Sequence, residues 1–363
     1  MKLFIFLFIL VLNLELYSNP IKIGSSVSLT GTSKDLGHNL IRGMNFVFDD
    51  VNQNGGINGR LIEFITLDDG YNPNNTVQNI ISLIENHQVD ILSSFTGTPT
   101  VQRILPLLIK YNKTLFFPFT GAQILVTPPY NNHVILLRPT YWQELQRIIS
   151  YLKSHQKNNI AIFYQLDGYG MNGVSGIRTI LNKDNNKPVI EISYIRGKSY
   201  SESFEKESSL LLSANPDAII CIASYEASAG IIRDIRSKNS DILIANISFS
   251  DKDSLRRLLI NNSPNSFRNL LHTQVVPEFS DHPIIKTYLT KTNQFNSIEF
   301  EGYLNALNLI EILKYTKDTS DEYKKSFYTI QSQNLSFSNA INNHLFKDPY
   351  LIKSNNKNWQ PIK

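Results

Sequence analysis

From Ile21 onward, short apolar runs alternate with stretches of helical periodicity almost to the end of the chain. That alternation limits the fold more than any single motif does. Consecutive parallel strands need a crossover, the crossover is right-handed, and the helices must cover the sheet. Ile21–Leu29, IKIGSSVSL, reads as the first strand and runs into the hydroxyl-rich Thr30-Gly31-Thr32. A helix through Leu40, Met44, Phe46, Val47 and Val51 stops at Asn54-Gly55-Gly56, as helices often stop at glycine. Asn58-Gly59 turns into a strand over Leu61–Leu67, and Asp68-Asp69-Gly70-Tyr71-Asn72-Pro73 makes the next loop. Thr76–Asn86 is helical, with Val77, Ile80, Ile81 and Ile84 on one face.

The stretch Ile91–Leu125 repeats the pattern and suggests what it is for. A strand ends in Ser93, Ser94, Thr96, Gly97 and Thr98. A helix then buries Val101, Ile104, Leu105, Leu108 and Ile109, and a second strand ends in Thr120-Gly121. Both polar loops leave the carboxyl ends of strands, the edge where open parallel sheets bind ligands. Hydroxyls and amides without an obvious nucleophile point to holding a ligand, not reacting with it.

The first residues, MKLFIFLFILVLNLELYSNP, carry one Lys, an apolar run from Leu3 to Leu12, then small or polar residues. This is the pattern of a secretory signal peptide over residues 1–18, and the run is short for a membrane span. Without it the formal net charge stays at +4, because one Lys and one Glu leave together. A mild, dispersed charge with no basic block argues against nucleic acid as a partner. Cys221 is the only cysteine, so no intrachain disulfide can form, and its isoleucine neighbours place it in a buried strand. The remaining length exceeds what one core usually serves, so two lobes are expected.

With these residues in place, IKIGSSVSLTGTSKDLGHNLIRGMNFVFDDVNQNGGINGRLIEFITLDDGYNP resembles the opening of type I periplasmic binding proteins, nearest the leucine/isoleucine/valine-binding branch. Leu29-Thr30-Gly31, Gly37, the Asn54–Arg60 turn and Asp68-Asp69 carry the likeness. It continues through FYQLDGYGMNGVSGI, TQVVP and FEGYLNA, and so spans nearly all of the chain after the signal. The resemblance implies two doubly wound α/β lobes with parallel sheets, three hinge crossings and a ligand between the lobes. Lobe one is expected over 21–138 plus 278–332, and lobe two over 139–276 plus 333–363. The first crossing is expected near Pro139-Thr140-Tyr141, the return over Leu271–Pro277, and terminal strands in HLFKDPYLIK. It also implies an ABC permease of the inner membrane as partner, with a chemoreceptor or sensor kinase as the alternative. Location in the periplasm, a monomeric state and the absence of a cofactor complete the expectation.

Several motifs need weighing. Gly168-Tyr169-Gly170-Met171-Asn172-Gly173 matches G-x-G-x-x-G between a strand and a helix. The acidic partner due at the end of the following strand is missing, since Glu191 falls inside that strand and Arg196 occupies its end. The glycines read better as a tight turn lifting Tyr169 into the cleft. Tyr225 occupies the turn after the next-but-one strand. The resemblance places ligand contacts at Tyr169 and Tyr225, the ligand's carboxylate at Thr98, and a second cradle at Phe119, Thr120 and Gly121. Thr98, just before Pro99, also reads as a helix N-cap. A buried ammonium needs a countercharge, and the candidates are Asp251 in Ser248-Phe249-Ser250-Asp251 and Glu226. If neither reaches the cleft, a small amide, urea-like compound or nucleobase fits better than a free amino acid.

Catalytic patterns are not found. The seven histidines show no metal-ligand spacing such as H-E-x-x-H. Gly173-Val174-Ser175-Gly176 falls short of a nucleophile elbow. Asp68 and Asp69, adjacent on a strand, point to opposite faces and read as a solvated pair that fixes the next turn. The sequence therefore predicts a non-enzymatic exported solute-binding protein for an amino acid or amide-like ligand, an exported enzyme in the same cleft being the rival of another class.

Overall fold

The computed structural model describes residues 19–316, 320–332, 348–355 and 357–362. The expected signal over 1–18 and the His344–Lys347 part of the expected terminal strand lie outside them.

The first half forms β1 (Ile21–Val27), α1 (Lys34–Gln53), β2 (Ile62–Asp68), α2 (Pro73–Glu85), β3 (Ile91–Ser93), α3 (Thr98–Lys110), β4 (Leu115–Phe116) and β5 (Val134–Ile135). These strands make a five-stranded sheet in the order β2-β1-β3-β4-β5, parallel throughout. The second half gives α4 (Tyr141–Ser154), β6 (Ile160–Gln165), α5 (Gly168–Asn182), β7 (Ile190–Tyr194), α6 (Glu205–Ser213), β8 (Ala218–Ile222), α7 (Tyr225–Ser237), β9 (Leu243–Asn246), α8 (Lys252–Asn262) and β10 (Leu270–Gln274). Its strands repeat the same doubly wound order, β7-β6-β8-β9-β10. The chain then adds α9 (Pro283–Leu289), α10 (Ser297–Lys314) and α11 (Ser320–Ser332), and ends with β11 (Tyr350–Asn355) and β12 (Asn358–Pro361). The last two extend the second sheet, antiparallel beside β10. Two parallel-dominated sheets flanked by helices are the α/β architecture that the sequence predicts.

Burial explains the wiring. β8 is buried along its whole length, as a central parallel strand must be, and Cys221 lies within it. α1 turns Leu36, Leu40, Met44, Val47 and Phe48 inward. Beyond the first sheet, part of its cover comes from much later in the sequence: Tyr288, Phe300, Tyr303 and Leu304 of α9 and α10, with Tyr323 and Phe327 of α11, share a core cluster with Met44, Val47 and Phe48. The chain thus passes from the first sheet to the second after β5 and returns after β10, and β11 lies in the second sheet again. One boundary differs from expectation. Leu270–Gln274 is itself the fifth parallel strand of the second sheet, so the return begins only after Gln274. No helix among the described residues is long and apolar enough to cross a membrane.

α1 and α10 pack backbone to backbone. A Cβ on Gly43 would lie 1.8 Å from the Glu299 carbonyl oxygen, and one on Gly302 would lie 2.0 Å from that of Leu40. Alanine for a mid-helix glycine ordinarily stabilises by about 1 kcal/mol. At these two positions the sign should reverse, with Gly43→Ala and Gly302→Ala each losing about 1–3 kcal/mol by forcing the helices apart. Urea midpoints of the two variants against the parent check this.

Candidate functional site

Loops from the carboxyl ends of β3 and β4 are joined before they meet anything else. Ser94 N–H donates to the Phe116 carbonyl (2.9 Å), Phe119 N–H to that of Phe95 (2.8 Å), and Gly97 N–H to that of Phe119 (3.1 Å). The joined loops set the Thr98 and Thr120 hydroxyls 2.7 Å apart, both fully buried. Thr98 does not cap α3 as its place before Pro99 suggests. Gly97 takes that position with φ +98, and its missing Cβ leaves room for the Tyr71 ring, which a side chain would meet at 2.2 Å. Thr98 becomes the first helical residue, and its hydroxyl turns to Thr120 instead. The Gly121 carbonyl accepts Tyr141 N–H (2.7 Å), which draws the start of α4 over the hydroxyl pair. The Tyr141 hydroxyl faces Thr120 and Thr98 but completes a hydrogen bond with neither.

The opposing half comes from β6 and β9. Asp167 caps α5 by accepting Tyr169 N–H (2.9 Å). The glycine fingerprint serves packing here. A Cβ on Gly170 would lie 1.8 Å from the Gln165 carbonyl, and one on Gly168 would strike Gln102 of α3 across the line between the halves. Tyr169 is fully buried, its ring 5.4 Å from Tyr141 and 4.7 Å from Phe249, and its hydroxyl has no partner. Phe249 centres the cluster, with Phe119 at 5.8 Å, Tyr71 at 5.9 Å and Tyr141 at 6.4 Å.

Of the eight candidate residues, the structure gathers Thr98, Phe119, Thr120, Gly121 and Tyr169. Tyr225, Asp251 and Glu226 share no hydrogen bond or ring contact with that group among the described residues. Tyr225 packs with the second sheet's core, and burial, then the Asp35, Glu226 and Asp251 charges, push its phenol up. Asp251, at φ +48, turns toward α8 and accepts Asp253 N–H (3.1 Å). Burial, aided by the Asp253 charge, raises its carboxyl to about 6. Glu226 accepts Tyr200 N–H (2.8 Å). Neither carboxylate bonds to the residues around Phe249. Asp69 corrects another expectation. It is not solvated but fully buried, accepting Ser26 Oγ (2.8 Å), Tyr71 N–H (2.9 Å) and Thr76 Oγ1 (3.1 Å), and burial raises its carboxyl to about 6. The exposed Asp68 bonds Leu29 N–H and Thr30 Oγ1 on the opposite side.

Sequence reasoning missed Tyr71, Tyr141, Phe249 and Arg138. Arg138 lies on the first passage between the sheets, buried, with its guanidinium 4.6 Å from the Phe119 centroid and 6.0 Å from that of Tyr141. Nη1 is 3.4 Å from Glu301 of α10, Nη2 is 3.9 Å from Glu144 of α4, and Nη2 also donates to Ser248 Oγ. Glu144 in turn accepts Ser248 N–H (2.8 Å), Ser248 Oγ (2.9 Å) and Thr273 Oγ1. The buried cation is thus held from both sheets. Among the described residues, no group of His, Cys, Asp and Glu has the makings of a metal site.

A family model described as "Periplasmic binding protein" matches residues 20–258. Among solved structures, a possible leucine/isoleucine/valine-binding protein from Rhodopirellula baltica is 22% identical, with a TM-score of 0.85 over 97% of this chain and 98% of that one. A fatty acid ABC transporter substrate-binding protein from Thermomonospora curvata is 19% identical, with a TM-score of 0.81 over 95% and 92%. A branched-chain amino acid ABC transporter protein from Thermus thermophilus with bound valine is 14% identical, with a TM-score of 0.80 over 95% and 96%. Comparison with curated proteins gives no match.

The Arg138 cluster yields two measurable outcomes. Arg138→Met leaves Glu144 and Glu301 buried without their cation and should lose about 3–5 kcal/mol in urea denaturation. Glu301 titrates at about 7, raised from 4.5 chiefly by burial against the lowering effect of Arg138. A raised folded pKa favours the fold below the unfolded value, and that contribution is lost as pH rises through 7. Glu301→Gln should therefore gain stability relative to the parent as pH increases from about 4.5 to 7, measured as the difference in urea midpoints across that range.

Proposed function

The chain belongs to the periplasmic binding protein family, and we propose that it is an exported solute-binding protein whose two lobes close on a small ligand and deliver it to an ABC importer. The carrying observation is the pair of buried hydroxyls, Thr98 and Thr120, set against Tyr169 from the other sheet. Both halves follow the doubly wound order whose switch point, at the strands' carboxyl ends, is the usual ligand crevice. In this reading 21–138 with 278–332 is lobe one, and 139–276 with 333–363 is lobe two. Residues 1–18 direct a monomeric protein to the periplasm.

Lobe one holds the ligand first, through the Thr98 and Thr120 hydroxyls at the start of α3. Tyr169 and Phe249 add contacts only on closure, so ligand shifts the hinge equilibrium by its differential affinity for the closed form. The solutes in the names of two structural neighbours, valine and fatty acid, share a carboxylate, which suits a hydroxyl pair at a helix start.

A thermal-shift screen over small carboxylates, amino acids and amides, with calorimetry on the hits, tests the reading, since a specific ligand raises Tm according to its concentration over Kd. Thr98→Ala should weaken the best hit about tenfold, the worth of one well-made hydrogen bond. Lys187→Ala, on the remote surface, should leave its Kd unchanged. Equal losses from both substitutions would place the site elsewhere, and consumption of the ligand on long incubation would favour an enzyme.

A further inference from the structure

The crevice between the halves is filled by the chain itself. Phe249 sits on the short turn Ser248–Ser250 after β9 and is fully buried. Its ring meets Tyr71 and Phe119 of the first half at 5.9 and 5.8 Å, and Tyr169 and Tyr141 of the second at 4.7 and 6.4 Å. Rings with centroids this close are in direct contact, and none of the four partners is more than 5% exposed. Phe119 adjoins Thr120 in sequence, and the Tyr141 hydroxyl faces both Thr98 and Thr120. A solute that reaches the hydroxyl pair therefore has to shift Phe249.

The turn that delivers this ring continues into a clasp on the first half. Asp253, early in α8, accepts Ser297 N–H and Oγ at the start of α10, both at 3.1 Å. Ser254 Oγ donates to Asp35 of α1 (3.2 Å), and Arg257 donates to the same carboxylate. One segment, 248–257, thus grips the first half in the crevice and at its rim. Between the two grips lies Asp251, with φ +48 and ψ +91, outside the regions that L residues favour. Its Oδ2 is buried without a partner. A turn belonging to a permanent core ordinarily satisfies such an oxygen; here water reaches it once the turn swings out. Phe249 is therefore seated at a cost that its release relieves, as suits a removable part.

We infer that Phe249 is the chain's own occupant of the crevice: its seating closes the two halves on each other, and a solute binds by displacing it, so this residue sets the solute's affinity. The displacement rests on the cleft reading above. The self-closure does not, since it needs only the contacts between the halves.

Small-angle scattering and thermal melting of the purified protein test the closure with benzene as the probe. The parent should scatter with the closed profile of the structure, and Phe249→Ala should give a larger radius of gyration. Benzene at about ten times its Kd should bring that radius back and raise the variant's Tm by about 2–4 °C, because an apolar site emptied of its ring accepts benzene. The same benzene should leave the parent's Tm unchanged. Phe249→Leu, a milder change, should move the radius in the same direction and serves if the alanine variant does not fold. A parent that scatters as an open form, or a folded Phe249→Ala as compact as the parent and indifferent to benzene, overturns the inference. The best hit of the solute screen should bind Phe249→Ala about tenfold more tightly than the parent, since it no longer replaces a buried ring. Equal or weaker binding overturns the displacement. Binding indifferent to Thr98→Ala overturns the cleft reading itself and leaves the scattering result to decide the self-closure.

Discussion

A guanidinium buried where the chain first leaves one sheet for the other is the interaction on which the arrangement turns. Removing Arg138 from water is expensive, and its acidic partners do not come from one place. Glu301 belongs to a helix of the first core, while Glu144 is held by Ser248 and Thr273 of the second sheet's edge. The set closes only when the two halves stand in one relation to each other. Ion pairs of this kind add little stability over a well-packed apolar cluster. What they add is selectivity among packings, because any other docking leaves a charge unpaired. Arg138 also backs Phe119 and Tyr141, so the element that fixes the passage braces the ring cluster as well.

The candidate site combines a rigid and a conditional part. Backbone hydrogen bonds lock the loops bearing Thr98 and Thr120 together within the first sheet, independently of the second. The ring cluster exists only where the two halves meet, and each ring it buries contributes about 1.5–3 kcal/mol of hydrophobic driving force. Closure is therefore favoured by burying rings, and solute selection falls to whatever those rings and unpartnered hydroxyls can accept.

Much of the fold was legible because its cause is local. Apolar periodicity marked the strands and helices in order, glycine and asparagine marked the stops, and the alternation implied parallel sheets. Boundaries slipped by a residue or two, as with Ile62–Asp68 for Leu61–Leu67, because the pattern is indifferent to its own ends. Thr98, Thr120 and Tyr169 could be singled out because each follows a strand's carboxyl end, a position readable from neighbours in sequence. Tyr71, Arg138, Tyr141 and Phe249 could not. Their relation is set by how two sheets dock, and no local spacing encodes it. Asp69 shows the same limit within one dipeptide: the opposite directions of the pair followed from strand geometry, but the burial of one member depended on the packing of α2 and β1.

The late cover of α1 and the late arrival of β11 carry a consequence for biogenesis. A nascent chain that stops short of Pro283 leaves α1 without the part of its cover that α9 and α10 supply, and one that stops short of Tyr350 leaves β10 as an open edge. Both halves await segments far along the chain, and contacts this distant in sequence form slowly. The delay is written into the topology, because the covering segments lie far along the chain from the faces they cover.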